Sequence, residues 1–378
     1  MVGFLRGTMS FGWTARQILD VARSAGLTAF GLDIAKAFAA EHLSASSQSA
    51  TAPPPAIIEG GATLIVCVNP DQFQYAAAFL PPTAFQRKYV IAHCVWELEK
   101  IPHEWLAALA AVDEIWVPSQ FVRQAFADAG LKLPCRIVPP QLEEPPAASA
   151  DRRRFGIAPD AFAVLLAFGF GSSVVRKNPM AAVRAFKKAF PTERDVCLVL
   201  KISDIETNAE AWNAFRRAAG DDDPRFVFIT DRLTDAEMWS LYASIDVALS
   251  THRAEGYGMI PALAMLSGRA AIATGWSAVL DFMTAENSIL LPYKLVAVED
   301  AEKRYVIEGT RWAEVDEDAA AAAMQRLYAD RDLRNRLALA GKHSIEAYLK
   351  QHRDELVGYM RTWQPSKDAS GRRNLVLS

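Results

Sequence analysis

Short apolar runs alternate with helix-like segments along most of the chain, and this alternation restricts the folds that the chain can adopt. Repeated strand and helix of this length are typical of a parallel sheet with helices on both faces. Strands of a first series are predicted at residues 2–6, 28–34, 63–68, 88–94 and 113–117. Strands of a second series are predicted at residues 163–169, 196–202, 225–229, 245–249, 271–274 and 288–291. Helices are predicted, among others, at residues 13–25, 259–266, 319–328 and 331–349.

A proline-rich segment at residues 138–160 separates the two series. A chain of 378 residues is also too long for one ordinary core, so two domains are expected. Residues 39–61, rich in Ser, Ala and Pro, are predicted to be a loose surface loop. The predicted limits are an N-terminal α/β domain at 1–140, a linker at 141–160, a C-terminal α/β domain at 161–340, a helix packing back towards the N-terminal domain at 341–365 and a flexible tail at 366–378.

The composition excludes several classes of function. The net charge is −3 and no basic stripe interleaved with aromatic residues is present, so no nucleic-acid partner is expected. No apolar run approaches the 18 residues of a membrane span. The cysteines form no CxxC pair, which predicts a reducing, cytoplasmic location. The cysteines show no metal-ligand spacing, so no metal site is predicted, and no cofactor is expected.

A first candidate loop follows the first predicted strand. Gly7, Ser10 and Gly12 lie between that strand and the helix predicted from Trp13. In an α/β domain such a loop usually lies on the ligand side of the sheet. We interpret it as an acceptor or phosphate loop, with a plain connecting loop as the alternative.

A second candidate loop follows the strand at residues 245–249. The segment Gly256-Tyr257-Gly258 leads into a helix from Met259, and Gly268 is expected to end that helix. Unpaired N–H groups and the helix dipole meet at such a helix start and favour an anion. Glu255 lies at the mouth of this site. A carboxylate repels phosphate, so we interpret Glu255 as a residue that binds an uncharged group, such as sugar hydroxyls.

A third candidate loop reads FGFGSSVVRKNP. Val174 stands where a dinucleotide fingerprint requires glycine, which disfavours a dehydrogenase. Arg176 and Lys177 are predicted to begin the next helix, where two cations oppose its dipole. A bound anion would relieve this conflict. The alternative is that both cations are simply solvated.

Six segments in order carry a family resemblance: YVIAHCVWELEKIP, DEIWVPSQFV, RKNP, EGYG, TGWSAVLDFM and RWAEVD. They are similar to segments of the family 4 glycosyltransferases, retaining enzymes of the two-domain GT-B fold, and WELE with RKNP resembles a bacterial subgroup. The resemblance implies an α/β fold in which two doubly wound, Rossmann-like domains face an interdomain cleft. It also implies transfer of a hexose from a nucleotide-sugar donor to a glycan or lipid-linked acceptor. The implied setting is cell-envelope polysaccharide or lipopolysaccharide assembly, and it allows peripheral contact with the inner membrane.

The resemblance also implies roles for single residues. Lys177, with Arg176 nearby, would neutralise the leaving diphosphate, and Glu255 would hold a donor hydroxyl. His93 would touch the donor sugar, although a hydrogen-bonded core histidine is an equal alternative. Further donor-binding residues are Gly256, Tyr257, Gly258, Met259, Leu263, His252, Arg253, Asp231 and Arg232.

Leu263 departs from the family pattern. The family has a second glutamate at this position, implied to bind the ribose hydroxyls, and leucine cannot accept those hydrogen bonds. Three alternatives therefore stay open: a catalytically degenerate subunit, a transferase with an unusual donor, and a protein that binds or epimerises nucleotide sugars. Glu97 and Glu99 could also suggest a hydrolase, but an exposed polar loop is the simpler interpretation.

Overall fold

The computed structural model describes residues 1–5, 10–34, 63–78, 80, 88–143, 149–220 and 222–362. Gly7, the predicted loop at 39–61 and the predicted tail at 366–378 lie outside the described residues. The chain divides into two compact units. One contains Met1–Leu142 together with the chain from Leu349 onward, and the other contains Glu143–Tyr348.

The first unit is built on a parallel sheet of six strands in the order β2-β1-β3-β4-β5-β6. Its strands are β1 Val2–Gly3, β2 Leu32–Asp33, β3 Thr63–Cys67, β4 Tyr89–His93, β5 Glu114–Val117 and β6 Cys135–Ile137. Its helices are α1 Ser10–Ser24, α2 Phe73–Ala78, α3 Trp105–Leu109 and α4 Gln120–Asp128. The strands pair in register along the sheet, for example Ile91 with Glu114.

Three predictions for this unit need correction. Helix α1 begins at Ser10 rather than Trp13, so Ser10 and Gly12 lie in its first turn instead of a loop. Strand β2 is limited to Leu32–Asp33, far shorter than the apolar run at 28–34. Strand β6 was missed because only three half-buried residues form it.

The second unit also contains a parallel sheet of six strands, in the order β12-β11-β10-β7-β8-β9. Its strands are β7 Phe162–Gly169, β8 Val196–Ser203, β9 Phe226–Ile229, β10 Val247–Ser250, β11 Ala270–Thr274 and β12 Ile289–Leu291. Its helices are α5 Val174–Lys177, α6 Pro179–Ala189, α7 Ala209–Ala219, α8 Asp235–Ser244, α9 Met259–Leu266 and α10 Glu317–Ala329. The six strands of the second predicted series are therefore confirmed.

A separate antiparallel hairpin was not predicted. Its strands are β13 Tyr293–Ala297 and β14 Arg311–Val315, with Leu295 paired to Ala313. The hairpin was missed because β13 is largely exposed and a long loop separates the two strands.

The cores follow from the alternation of side chains along the strands. Leu198, Leu200 and Ile202 of β8 enter one apolar cluster with residues of α6 and α10. The intervening Lys201 therefore points to the other face of the sheet. Helix α9 differs, because it is buried from Pro261 to Leu266 and is apolar on all sides.

The last helix, α11, runs without a break over Arg331–Thr362. Helices were predicted at 331–349 and at 341–365, and a single helix covers most of both ranges. Its Leu356 and Met360 join the core cluster of the first unit with Ile18 and Val21. Among the helices that the structure describes, none has the length and apolar character needed to cross a membrane.

Candidate active site

Glu255 lies at the carboxyl edge of the second sheet, in the loop between β10 and α9. Its N–H donates to the Ser277 hydroxyl at 2.8 Å, and its C=O accepts from the Ala278 N–H at 3.3 Å. The loop is therefore fixed on both sides of a buried side chain.

Two cations hold the Glu255 carboxylate. Lys177 Nζ donates to Oε1, and Arg176 Nη1 lies 3.2 Å from Oε2. Burial by itself raises the pKa of the Glu255 carboxyl, but the charges of Lys177 and Arg176 outweigh it and bring the pKa down to about 2. Glu255 is therefore ionised at any pH at which the protein would work.

A short helix places these two cations. In α5 the Ser173 hydroxyl accepts from the Arg176 N–H at 3.2 Å, and the helix ends at Asn178, whose φ of 50° is left-handed. Pro179 then begins α6. The prediction that Arg176 and Lys177 begin the long helix is therefore wrong, because Asn178 and Pro179 separate them from it. They occupy the last turn of α5, where cations suit the helix dipole.

Arg176 is buried more deeply than Lys177. Its Nη1 donates to the Ala254 carbonyl at 2.7 Å and its Nη2 to the Ser172 hydroxyl at 3.0 Å. The exposed fraction is 4% for the Arg176 side chain and 19% for Lys177. Arg176 therefore orients Glu255 from inside the protein, and Lys177 is the cation that a ligand can reach.

His252 and Arg253 are turned towards protein groups. Buried His252 has Nε2 at 3.2 Å from the Trp276 carbonyl and Nδ1 at 2.9 Å from the Ser250 hydroxyl. Burial lowers the pKa of His252 to about 4, so the ring is neutral at pH 7 and donates from Nε2. Arg253 Nε donates to Glu314 Oε2 at 2.8 Å, which places its charge in an ion pair.

The Gly-Tyr-Gly segment is tightly packed. Gly258 has a φ of 96°, and a Cβ there would lie 2.5 Å from Val279 Cγ1, so only glycine fits. The Tyr257 ring packs 5.5 Å from that of Phe282, and its buried hydroxyl has no hydrogen-bond partner among the described residues. Burial raises the pKa of that hydroxyl. Met259 is half-buried at the start of α9.

The end of α9 agrees with the prediction. Gly268 has a φ of 64° and donates to the Met265 carbonyl at 2.9 Å, while the Arg269 N–H donates to the Ala264 carbonyl at 2.8 Å. This pair of bonds is a Schellman motif. Leu263 is buried within the helix.

Two glycines, one at the end of β7 and one just after it, allow a close approach of two chain segments. A Cβ on Gly169 would lie 2.4 Å from the Ser203 hydroxyl, and one on Gly171 would lie 2.9 Å from Asp204 Oδ2. Asp204 itself has a left-handed φ of 56°. These glycines therefore accommodate the end of β8.

Lys201 is a site candidate that sequence reasoning missed. It is buried at the end of β8, and its Nζ donates to the Ile202 carbonyl at 3.3 Å. Burial lowers the pKa of Lys201, while the charges of Asp204 and Asp231 oppose the shift. The single charge within LVLKIS was the available signal. Asp231 and Arg232 are exposed and follow β9, two strands from β7.

His93 belongs to the first unit, at the end of β4. Its Nε2 lies 3.3 Å from the Val138 carbonyl, and its Nδ1 has no partner among the described residues. Burial lowers the pKa of His93 to about 4. The ring is therefore a neutral, buried group. Gly12 is buried in the first turn of α1.

Within the described part of the chain, no group of three or more His, Cys, Asp or Glu side chains is arranged to hold a metal ion. Neither a family model nor a curated protein matches this chain.

Solved structures do resemble it. The structure of Anabaena HepE in complex with UDP-glucose has a TM-score of 0.66 at 13% identity, covering 96% of this chain and 99% of that one. The pneumococcal O-GlcNAc transferase GtfA, with UDP and GlcNAc, has a TM-score of 0.53 at 12% identity, covering 79% of this chain. TarM has a TM-score of 0.55 at 10% identity, also over 79%. This chain has the GT-B fold. It spans 57% of the length of GtfA and 54% of that of TarM.

Proposed function

We propose that the chain is a glycosyltransferase that moves a hexose from a nucleotide-sugar donor to an acceptor and retains the anomeric configuration. One observation carries the proposal: the buried Glu255 carboxylate, held by Arg176 and Lys177, lies at the carboxyl edge of a parallel sheet. Ligands of open α/β folds bind at that edge. The similar HepE and GtfA structures contain UDP-glucose, and UDP with GlcNAc.

The ion pairs suggest how the donor is received. Two cations and one carboxylate give the cluster a net charge of +1. An arriving diphosphate attracts Lys177, the more exposed cation, away from Glu255. Arg176 stays in place and keeps the carboxylate oriented. Glu255 then has an oxygen free to accept a hydrogen bond from a donor hydroxyl.

The same groups lower the barrier for departure of the nucleotide. Negative charge grows on the leaving diphosphate, and Lys177 and the amides of Gly256 to Gly258 would stabilise it where it forms. Preorganised donors of this kind are worth about 10²–10³ in rate each. We therefore propose a transfer that requires no metal, with the leaving phosphate accepting the proton of the attacking hydroxyl.

The acceptor and the setting rest on the sequence resemblance alone. We propose a glycan or lipid-linked acceptor in polysaccharide or lipopolysaccharide assembly, on the cytoplasmic side and with peripheral contact at the inner membrane. The nucleotide sugar is a substrate, and no cofactor takes part.

Turnover of nucleotide-sugar donors, the UDP-, GDP- and dTDP-hexoses, tests the proposal. The released nucleoside diphosphate and the anomeric configuration of the product are measured, with excess EDTA or magnesium in parallel. We expect one base to support release, a retained anomer and equal rates in both buffers. An inverted product, or a strict magnesium requirement, contradicts the corresponding part.

A second candidate is a protein that binds a nucleotide sugar without transferring it. Leu263 favours it, because this buried apolar side chain stands where the resembling family has a glutamate. Calorimetric binding of a nucleotide sugar with no turnover, for every acceptor extract tried, would support this candidate over the transferase.

A further inference from the structure

The β13–β14 hairpin is fastened to the loops that carry the site. Glu314 of β14 accepts from Arg253 Nε at 2.8 Å and from Asn178 Nδ2 at 3.1 Å. The Ala313 N–H donates to the Arg253 carbonyl at 2.9 Å. The hairpin therefore contacts both the residue after Lys177 and the loop that leads to Glu255.

The loop of this hairpin has a defined shape. The Asp300 carboxylate accepts from three backbone N–H groups: that of Glu302 at 3.1 Å, that of Arg304 at 2.8 Å and that of Tyr305 at 3.1 Å. Lys303 between them has a left-handed φ of 55°. Local hydrogen bonding by aspartate is a common way to fix a turn.

Tyr305 attaches this turn beside the ion cluster. Its side chain is buried although most of its neighbours in the loop are exposed. The Arg176 guanidinium lies 5.9 Å from its ring centroid, at the limit of a cation–π contact. The residue before Tyr305 is thereby held next to the loop that leads from β7 to α5.

That residue is Arg304. Its Nη1 donates to the Gly171 carbonyl at 2.9 Å, and its Nε lies 3.1 Å from Glu302 Oε2. The side chain is 47% exposed, and its Nη2 has no partner among the described residues. The ion pair with Glu302 is thus a solvated one, which costs little to exchange.

The other cations near the site are already engaged. Arg253 gives both Nε and Nη2 to Glu314 and is mostly buried. Arg176 and Lys177 share Glu255, which leaves a net +1 for a diphosphate that carries several negative charges. A planar guanidinium with free N–H groups is well suited to phosphate.

We propose that Arg304 is a third cation of the donor site, which leaves Glu302 and contacts the diphosphate of the bound donor. This inference rests on the proposed function, because it assumes a nucleoside diphosphate beside Lys177. The hairpin would carry the cation, and Asp300 and Tyr305 would position it.

Calorimetric titration tests the contact. The probes are UDP, GDP and dTDP, and then the free nucleoside of whichever diphosphate binds the unmodified protein most tightly. We expect Arg304→Gln to weaken binding of the diphosphate by about 10- to 100-fold, the loss of one or two charged hydrogen bonds. Binding of the nucleoside should change less than threefold. The control is Lys303→Gln, an equal change of charge on the neighbouring exposed residue, which should change either affinity less than twofold.

Glu302→Gln provides a test of opposite sign. Removing the competing carboxylate should tighten diphosphate binding by about two- to fivefold relative to the unmodified protein. In a protein that already carries Arg304→Gln, the same change should have no effect. Equal affinities of the unmodified protein and Arg304→Gln for the diphosphate overturn the inference, as does an equal loss in Lys303→Gln. Absence of binding of all three diphosphates to the unmodified protein contradicts the proposed function itself, and the inference with it.

Discussion

Two buried glutamates, Glu114 in the first unit and Glu255 in the second, have opposite surroundings. Glu114 Oε1 accepts from Trp116 Nε1 at 2.8 Å and from Arg136 Nε at 3.3 Å. Its Oε2 accepts from the hydroxyls of Tyr89 at 3.1 Å and Tyr359 at 2.5 Å. Four donors therefore satisfy this carboxylate completely: Trp116 on β5, Arg136 on β6, Tyr89 at the start of β4 and Tyr359 on α11.

Glu255 has fewer neutral donors and more charge. Its carboxylate is held by Arg176 and Lys177, and the lysine retains some exposure. The Glu114 network connects parts of the chain that are up to 245 residues apart, and it has no oxygen left to offer a ligand. The comparison teaches that burial alone does not mark a site. Under the proposed function, the difference is that Lys177 can exchange Glu255 for a ligand.

Placing a third glutamate tests this distinction most severely. Leu263→Glu would bury a carboxylate in the apolar helix α9 without the donors that Glu114 and Glu255 have. An unpaired buried charge costs about 3–5 kcal/mol, so we expect a fall in Tm of about 10 °C together with a loss of activity. The measurement is thermal unfolding, with Leu263→Met as the control of similar volume. An intact fold with tighter nucleoside diphosphate binding would instead show that a ribose meets this position.

How far the sequence could predict this site depends on distance along the chain. The strand–loop–helix around Glu255 and the stop at Gly268 were predictable, because glycine, proline and apolar period act locally. The pairing of Glu255 with Lys177 was not, because 78 residues separate them and only the sheet order brings their loops together. The sequence indicated a bound anion for the two cations, and in the structure Glu255 supplies one.

The elements of the fold were likewise predictable only where the signal is local in the sequence. The buried strands were predicted well, because fully buried strands of a parallel sheet are continuous apolar runs. The β13–β14 hairpin was missed, since Lys294 and Glu314 interrupt its apolar residues. Lys201 was missed because the apolar run LVLKIS predicts a buried strand whether or not it contains one charge. Arg304 gave no signal in the sequence, since its relevance comes from the contact with Gly171.

The second prediction concerns activity, which we expect to depend on a partner of Glu255 and not on Glu114. Lys177→Ala removes the exchangeable partner of Glu255 and leaves Arg176 in place, so kcat/KM should fall about a hundredfold while Tm changes by less than about 2 °C. Steady-state kinetics with the accepted donor measure this. The control is Lys188→Ala on α6, an exposed lysine paired with Asp318, which should keep normal kinetics. Unchanged turnover in Lys177→Ala would remove this lysine from the site.

The third prediction concerns Glu114, for which we expect a loss of stability without a loss of activity. Glu114→Gln keeps the shape of the side chain, but an amide offers one accepting oxygen instead of two, so donors of Trp116, Tyr89 or Tyr359 lose a partner. We expect a loss of about 2 kcal/mol in stability, seen as a Tm lower by about 4–8 °C, and normal kcat for the folded protein. Glu355→Gln, the same change at an exposed position of α11, should leave Tm within 1 °C. A large loss of kcat at normal Tm would mean that Glu114 also serves the reaction.

The smallest effect is expected when the solution is made mildly acidic, and it distinguishes Glu255 from the nearby His252. The pKa of Glu255 is depressed from 4.5 to about 2, so its contribution to stability is complete above pH 4.5 and is lost only as the pH falls towards 2. Burial lowers the pKa of His252 from 6.5 to about 4, so the unfolded chain takes up a proton first and stability falls from pH 6.5 towards 4. Between pH 7 and 5.5, His252 should therefore cost about 1 kcal/mol and Glu255 nothing.

Urea unfolding at these two pH values measures the difference for each variant, so a variant that is less stable at both still gives a result. His252→Gln should remove about 1 kcal/mol of the acid loss, and the exposed His343→Gln should remove none. In both variants His93 should still contribute its part of the acid loss of stability, because its pKa is lowered to about 4 in the same way. If His252→Gln retains the full acid loss, His252 is not held neutral, and the net charge assigned to the Glu255 cluster would have to rise by one.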